Sequence, residues 1–261
     1  MQEDPPIAAP MSDDRMMSLL DEVAGTVRDA VDGCTDWRAP GDRPGQYALD
    51  LVADEAACRV LHRAGLAVMS EESGLTGGVP STDGPESPWL VVVDPIDGST
   101  NASLRIPWYA TSLCVLDADG PRVALVVNQA TGTRYQAVRG GGAHRDGRPV
   151  RPSGCADLAG AVIGISGLPA AHPGWGQYRA LGAAALDLCA VAEGCLDGYR
   201  TVGRSALSGW DYLGALLVCL EAGAAVAECD GRQLVVRDDA RRRPLAAATA
   251  ALRDELLAAR V

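Results

Sequence analysis

The chain has 261 residues, 48% of them hydrophobic, with 30 glycines and 16 prolines. That is enough for a substantial core in one large domain or two closely packed lobes. Its 34 acidic residues outnumber 23 basic ones, all of them arginine, for a net charge of −11, which argues against non-specific nucleic-acid binding. No apolar run approaches the ~20 residues that a membrane span needs. The eight cysteines form no C-x-x-C pair and mostly sit among apolar neighbours, so they read as small buried hydrophobes in a reducing compartment. With an acidic, proline-rich start in place of a signal peptide, the expected location is cytoplasmic.

Residues 1–10 read as a disordered tail and 11–261 as one domain, with lobes at about 11–150 and 151–261. Ser12, Asp13 and Asp14 offer N-cap chemistry, and Met16, Leu20, Val23, Val27 and Val31 follow at helical spacing. A Pro/Gly loop over 36–45 precedes a second helix over about 47–63. Residues 66–69 form a short buried strand that runs into Ser70, Glu71, Glu72, Ser73 and Gly74. A Gly/Pro/Ser/Thr-rich loop over 75–88 follows, placed to cover a site.

Leu90, Val91, Val92 and Val93 then read as a strand buried on both faces, and Pro95 predicts that the chain leaves the sheet just after Asp94. Three strands over 109–116, 122–129 and 133–138 make an antiparallel meander, with a hairpin tip near 145–148. The second half offers strands at 161–166, 196–199, 224–229, 234–236 and 245–248. Its helices are expected at 182–192, 212–221 and 252–259. Without regular βαβ order, the expectation is a layered mixed α/β or α+β fold.

Acids stand at three structural junctions: Glu71 and Glu72, Asp94 and Asp97, and Asp211. Burying like charges is costly unless a cation neutralises them, and convergent carboxylates at strand ends suit an oxygen-only Mg²⁺ site. The Ile96 carbonyl is a further candidate ligand. Gly98 and Ser99 open a turn that permits close approach of a phosphate, and no His or Cys is placed as a nucleophile. The chemistry expected is metal-activated water attacking a phosphate ester, with Ser99 orienting the water. Taken singly, Asp211 is equally an N-cap, and Asp94–Gly98 is more often just a turn.

Two signatures give the chain its resemblance to the inositol monophosphatase family. One is Trp89, four residues, then Asp94-Pro95-Ile96-Asp97-Gly98-Ser99-Thr100-Asn101; the other is Trp210-Asp211 leading through an apolar helix to Gly223. The resemblance implies an αβαβα sandwich, two or three Mg²⁺ ions, a homodimer and hydrolysis of a small phosphorylated metabolite; net charge and hydropathy lead to no nucleic-acid or membrane partner being expected. Carried over by position, Glu71, Asp94, Ile96, Asp97 and Asp211 would be metal ligands; Glu71, Asp94, Asp97 and Ser99 would be catalytic. Asp97, Gly98, Ser99, Arg204 and Asp211 would meet the substrate.

The chain departs from the family pattern at 46–54, where no Lys precedes the helix and either Asp50 or Asp54 could support a further metal. It departs again at 200–209, where Arg204 and Ser205 replace an acid and would favour a second anionic group. Inositol monophosphate leads the candidate substrates. Alternatives are a 3′-phosphonucleotide, histidinol phosphate or fructose bisphosphate, or a catalytically silent relative that binds a phosphorylated ligand.

Overall fold

The computed structural model describes residues 11–77 and 89–259. The acidic first ten residues and most of the expected covering loop lie outside them. The first half comprises α1 (Asp13–Asp32), α2 (Ala48–Arg63), β1 (Ala67–Ser70), β2 (Gly74–Thr76), β3 (Leu90–Asp97), α3 (Ser99–Ser103), β4 (Ala110–Asp117), β5 (Gly120–Asn128), β6 (Arg134–Val138), β7 (Gly142–Arg145) and β8 (Arg148–Pro149). The second half adds β9 (Val162–Ser166), β10 (Gln177–Arg179), α4 (Ala184–Ala192), β11 (Gly198–Thr201), α5 (Gly209–Ala222), β12 (Ala225–Glu228), β13 (Pro244–Ala247) and α6 (Ala250–Ala258).

Among the described residues, the strands form an eight-stranded sheet, β2-β1-β3-β4-β5-β6-β7-β8, and a five-stranded sheet, β10-β9-β11-β13-β12. In the first, only β1 and β3 run parallel; in the second, β10, β9 and β11 do. Alternation along β3 assigns the layers. Val91 and Val93 pack with Leu20, Val23 and Leu49 of α1 and α2, while Leu90 and Val92 face Leu186 of α4 and Leu213 of α5. Helices α4 and α5 also meet Tyr199 and Ala246 of the second sheet, and Leu252 and Leu256 of α6 cover that sheet's outer face with Ile163 and Leu245. The result is the αβαβα sandwich expected. The middle layer touches apolar residues on both sides, which is why α4 is buried along its whole length.

Several local expectations change. Strand β3 does not stop at Asp94: it continues through Pro95 to Asp97, with a register shift against β4 between Asp94 and Asp97. Pairing with β1 ends at Val93, so no neighbour on that side needs the amide that proline lacks. The Thr111 hydroxyl donates to the Pro95 carbonyl at 2.8 Å and ties the bulge to β4. Residues 234–236 are not a strand; Leu234 and Val236 pack onto the central core from an irregular segment. Strands β2 and β10 were not expected from the sequence, and Cys195 is exposed rather than buried. All eight cysteines are free thiols, and among the described residues no helix is long and apolar enough to cross a membrane.

Candidate active site

Parallel strands end together, and here the ends of β1 and β3 lie beside the start of α5. Glu71 follows β1, Asp94 sits at the β3 bulge, and Asp211 occupies the first turn of α5. One carboxylate oxygen from each lies within 4.8 Å of the other two. Asp94 is 1% exposed, and its Oδ1 is buried without a hydrogen-bond partner among the described residues. Asp211 is held by a 2.7 Å bond from the Ser208 amide to its Oδ2. It therefore serves as a cap and as a cluster member at once.

The crowding sets the electrostatics of the site. Burial, then the charges of Asp211, Glu72 and Asp50, push the Glu71 carboxyl up to about 8, although the residue as a whole is exposed. Burial followed by Glu71 and Asp97 holds Asp94 well above the usual carboxylate range. Burial also raises Asp211 to about 6, against the pull of the Ser208 amide and Arg241. Three acids that resist ionisation together, one with an orphaned oxygen, form an oxygen-only donor set that a divalent cation would satisfy.

Asp97 is not one of the three within 4.8 Å, but burial and then the Asp211 charge hold it well above the usual carboxylate range. Its Oδ1 accepts from the Ala184 amide at 3.2 Å and its Oδ2 from Ala185 at 2.7 Å, so it caps α4 while keeping spare lone pairs. The side chain of Ile96 is buried in the core beneath α1 and α2, which leaves only its main chain to offer. Gly98 adopts a left-handed conformation at φ 85° and opens α3, a pairing that gathers successive amides into a nest. A β-carbon there would stand 3.0 Å from Ala183 Cβ and Gly182 O. Gly98→Ala should therefore cost at least about 1–2 kcal/mol from the backbone alone. A thermal midpoint equal to the parent's would contradict this. Ser99 is half-buried next to Asp50, and Arg204 lies exposed in the turn between β11 and α5.

Of the two acids left open at 46–54, Asp50 faces the site. Burial raises it to about 7, opposed by the Tyr47 amide and the Ser99 hydroxyl, and its Oδ1 has no partner among the described residues. Asp54 instead accepts from Ser70 Oγ at 2.5 Å and Ser73 Oγ at 3.3 Å, bracing the end of β1. Asp187 falls within the helix expected over 182–192, and sequence reasoning gave it no role. It is fully buried in α4, takes the Trp108 indole N–H at 2.8 Å, and is raised to about 7 by burial. Only its place in an otherwise apolar helix could have flagged it.

An acid cluster thus stands at the rim of the first sheet, completed by a helix of the central layer. The inositol monophosphatase family model matches residues 46–261, and the chain belongs to that family. The chain is 36% identical over 216 residues to an inositol-1-monophosphatase of Mesorhizobium japonicum, covering 75% of this chain and 76% of the relative. It is 32% identical over 225 residues to a fructose-1,6-bisphosphatase/inositol-1-monophosphatase of Archaeoglobus fulgidus, covering 82% and 84%. The solved structure of inositol monophosphatase from Anabaena superposes with a TM-score of 0.75 over 93% of this chain and 94% of that one, at 23% identity.

Proposed function

We propose that this chain hydrolyses a small phosphate monoester with Mg²⁺, inositol monophosphate being the first candidate. One observation carries the reading: three carboxylates from separate segments within 4.8 Å, one with an orphaned buried oxygen, beside the Gly98 turn. Glu71, Asp94 and Asp211 would hold the ion, with Asp97 and the Ile96 carbonyl in reach along the same bulge. Bound there, Mg²⁺ would polarise a phosphate oxygen and make water a nucleophile near neutral pH. The chain's own contribution is positional. The Gly98–Ser99 amides face the phosphate, the Ser99 hydroxyl orients the attacking water, and the Asp97 cap fixes the turn against α4.

The alcohol half of the substrate would lie toward the segment between β11 and α5. That segment contains no acid, and Arg204 there has no ion-pair or hydrogen-bond partner for its side chain among the described residues. Arg241, whose charge acts on Asp211, adjoins the Leu207–Arg242 bridge that pins this segment. This favours a second anionic group on the substrate, consistent with the bisphosphatase in the name of the Archaeoglobus relative. Phosphate release should be measured over inositol monophosphate, fructose 1,6-bisphosphate, a 3′-phosphonucleotide and histidinol phosphate, with and without Mg²⁺. Mg²⁺-dependent turnover of at least one supports the proposal, and ion binding without turnover of any favours a silent ligand-binding relative.

A further inference from the structure

The outer end of the acid cluster holds a cation of the chain's own. The loop before α2 is wound around Gln46, whose Oε1 accepts the amides of Asp42 at 2.8 Å and Arg43 at 3.1 Å. The other end of that amide, Gln46 Nε2, and the Arg43 guanidinium both donate to one oxygen of Glu72. The Glu72 side chain is 6% exposed, whereas that of Arg43 is 55% exposed, so the pair is reached from solvent on the arginine side only. Beside it, Asp50 is 4% exposed and its Oδ1 has no partner among the described residues. Among the described residues Arg43 is the only arginine ion-paired to an acid of this cluster, and its charge acts on both Asp50 and Glu71.

We infer that Arg43 is a tethered cation standing at the Asp50–Glu72 end of the cluster, where it keeps out a divalent ion that those two carboxylates would otherwise bind. Arg43 pairs with Glu72 alone, so Asp50 is left an uncompensated buried acid with an unpartnered oxygen among the described residues. A divalent ion would neutralise both acids, but it must displace a group whose tether gives it an effective concentration on the order of millimolar. The chain thus divides its cation sites: Glu71, Asp94 and Asp211 for a free ion, Asp50 and Glu72 for arginine. This rests on the reading of the first set as a divalent site.

The test counts Mn²⁺ bound per chain by equilibrium dialysis, up to about 1 mM free ion, the range a short tether competes in. Arg43→Gln should take up one more ion than the parent, and Arg43→Lys, which keeps the charge, should match the parent. Adding Asp50→Asn to Arg43→Gln should remove the extra ion. Equal counts for the parent and Arg43→Gln, or an extra ion that survives in the double variant, would overturn the inference. A parent that binds no Mn²⁺ would overturn the underlying metal reading as well, so the two failures are told apart. Because Arg43 is on an exposed loop, matching melting curves in EDTA are expected to show all three variants folded.

Discussion

Asp94→Asn should cut Mg²⁺-dependent phosphate release by more than about 100-fold, the upper end of what loss of an outer-shell metal partner costs. The same substitution should make the metal-free protein more stable. Asp94 is 1% exposed and carries an oxygen with no partner, facing Glu71 and, beyond it, Asp97 and Asp211. A neutral amide of the same shape removes a buried like-charge conflict while keeping the volume. In EDTA the melting midpoint should rise by about 2–4 °C, the shift that one kcal/mol produces in a domain near this size. Added Mg²⁺ should then raise the parent's midpoint and leave the variant's nearly unchanged. Loss of activity with gain of stability separates a metal ligand from a structural acid, which would lose both. Near-parental turnover in the variant would sink the assignment.

The second large effect is the pH dependence of the metal-free protein. Asp211 is raised to about 6, Asp50 and Asp187 to about 7, and Glu71 to about 8. For each, the folded value exceeds the unfolded one. Below about pH 4 these groups are neutral in both states and their contribution to stability is fully present. As pH rises toward 8 the unfolded chain releases their protons first, the native state holds more protons, and stability falls. Glu228, held down at about 2 by Arg232 and neighbouring amides, works the other way, but only as pH drops below about 4. The melting midpoint in EDTA should therefore decline by several degrees between pH 5 and pH 8. Mg²⁺ should flatten the decline, because it binds the ionised acids. At one hundred times its Kd a single ion adds about 2.7 kcal/mol. An EDTA midpoint that climbs over this range would refute the account.

Much of this was legible from residue order because strand period and acid position are local properties. The continuous apolar run at 90–93 announced a strand buried on both faces, and the acids stood out by following apolar runs directly. Glu71, Asp94 and Asp211 could be named before any geometry was known. Other features depend on partners far along the chain. The strand at Gln177–Arg179 is exposed at every position and carries no apolar signature, whereas 234–236 has the signature and uses it to plug the core from a loop. The Pro95 bulge survives inside a strand only because β1 ends at Val93, which no local rule reports. Arg43 met Glu72 across 29 positions, and Asp50 could be told from Asp54 only once Ser70 and Ser73 were seen to claim the latter.

The trio at the rim draws on both ends of the chain. Glu71 and Asp94 belong to the first sheet, but Asp211 arrives on a helix of the central layer, more than a hundred residues later. Loop-closure entropy for so distant a contact is settled only when that layer docks between the two sheets. Ion affinity thus belongs to the finished sandwich and to no earlier species. An ion that recognises only the finished state acts on the rate of coming apart rather than on the rate of assembly. In a dilute, metal-rich setting the bound cation would then act as a latch on native lifetime, independent of any ester it helps to cleave.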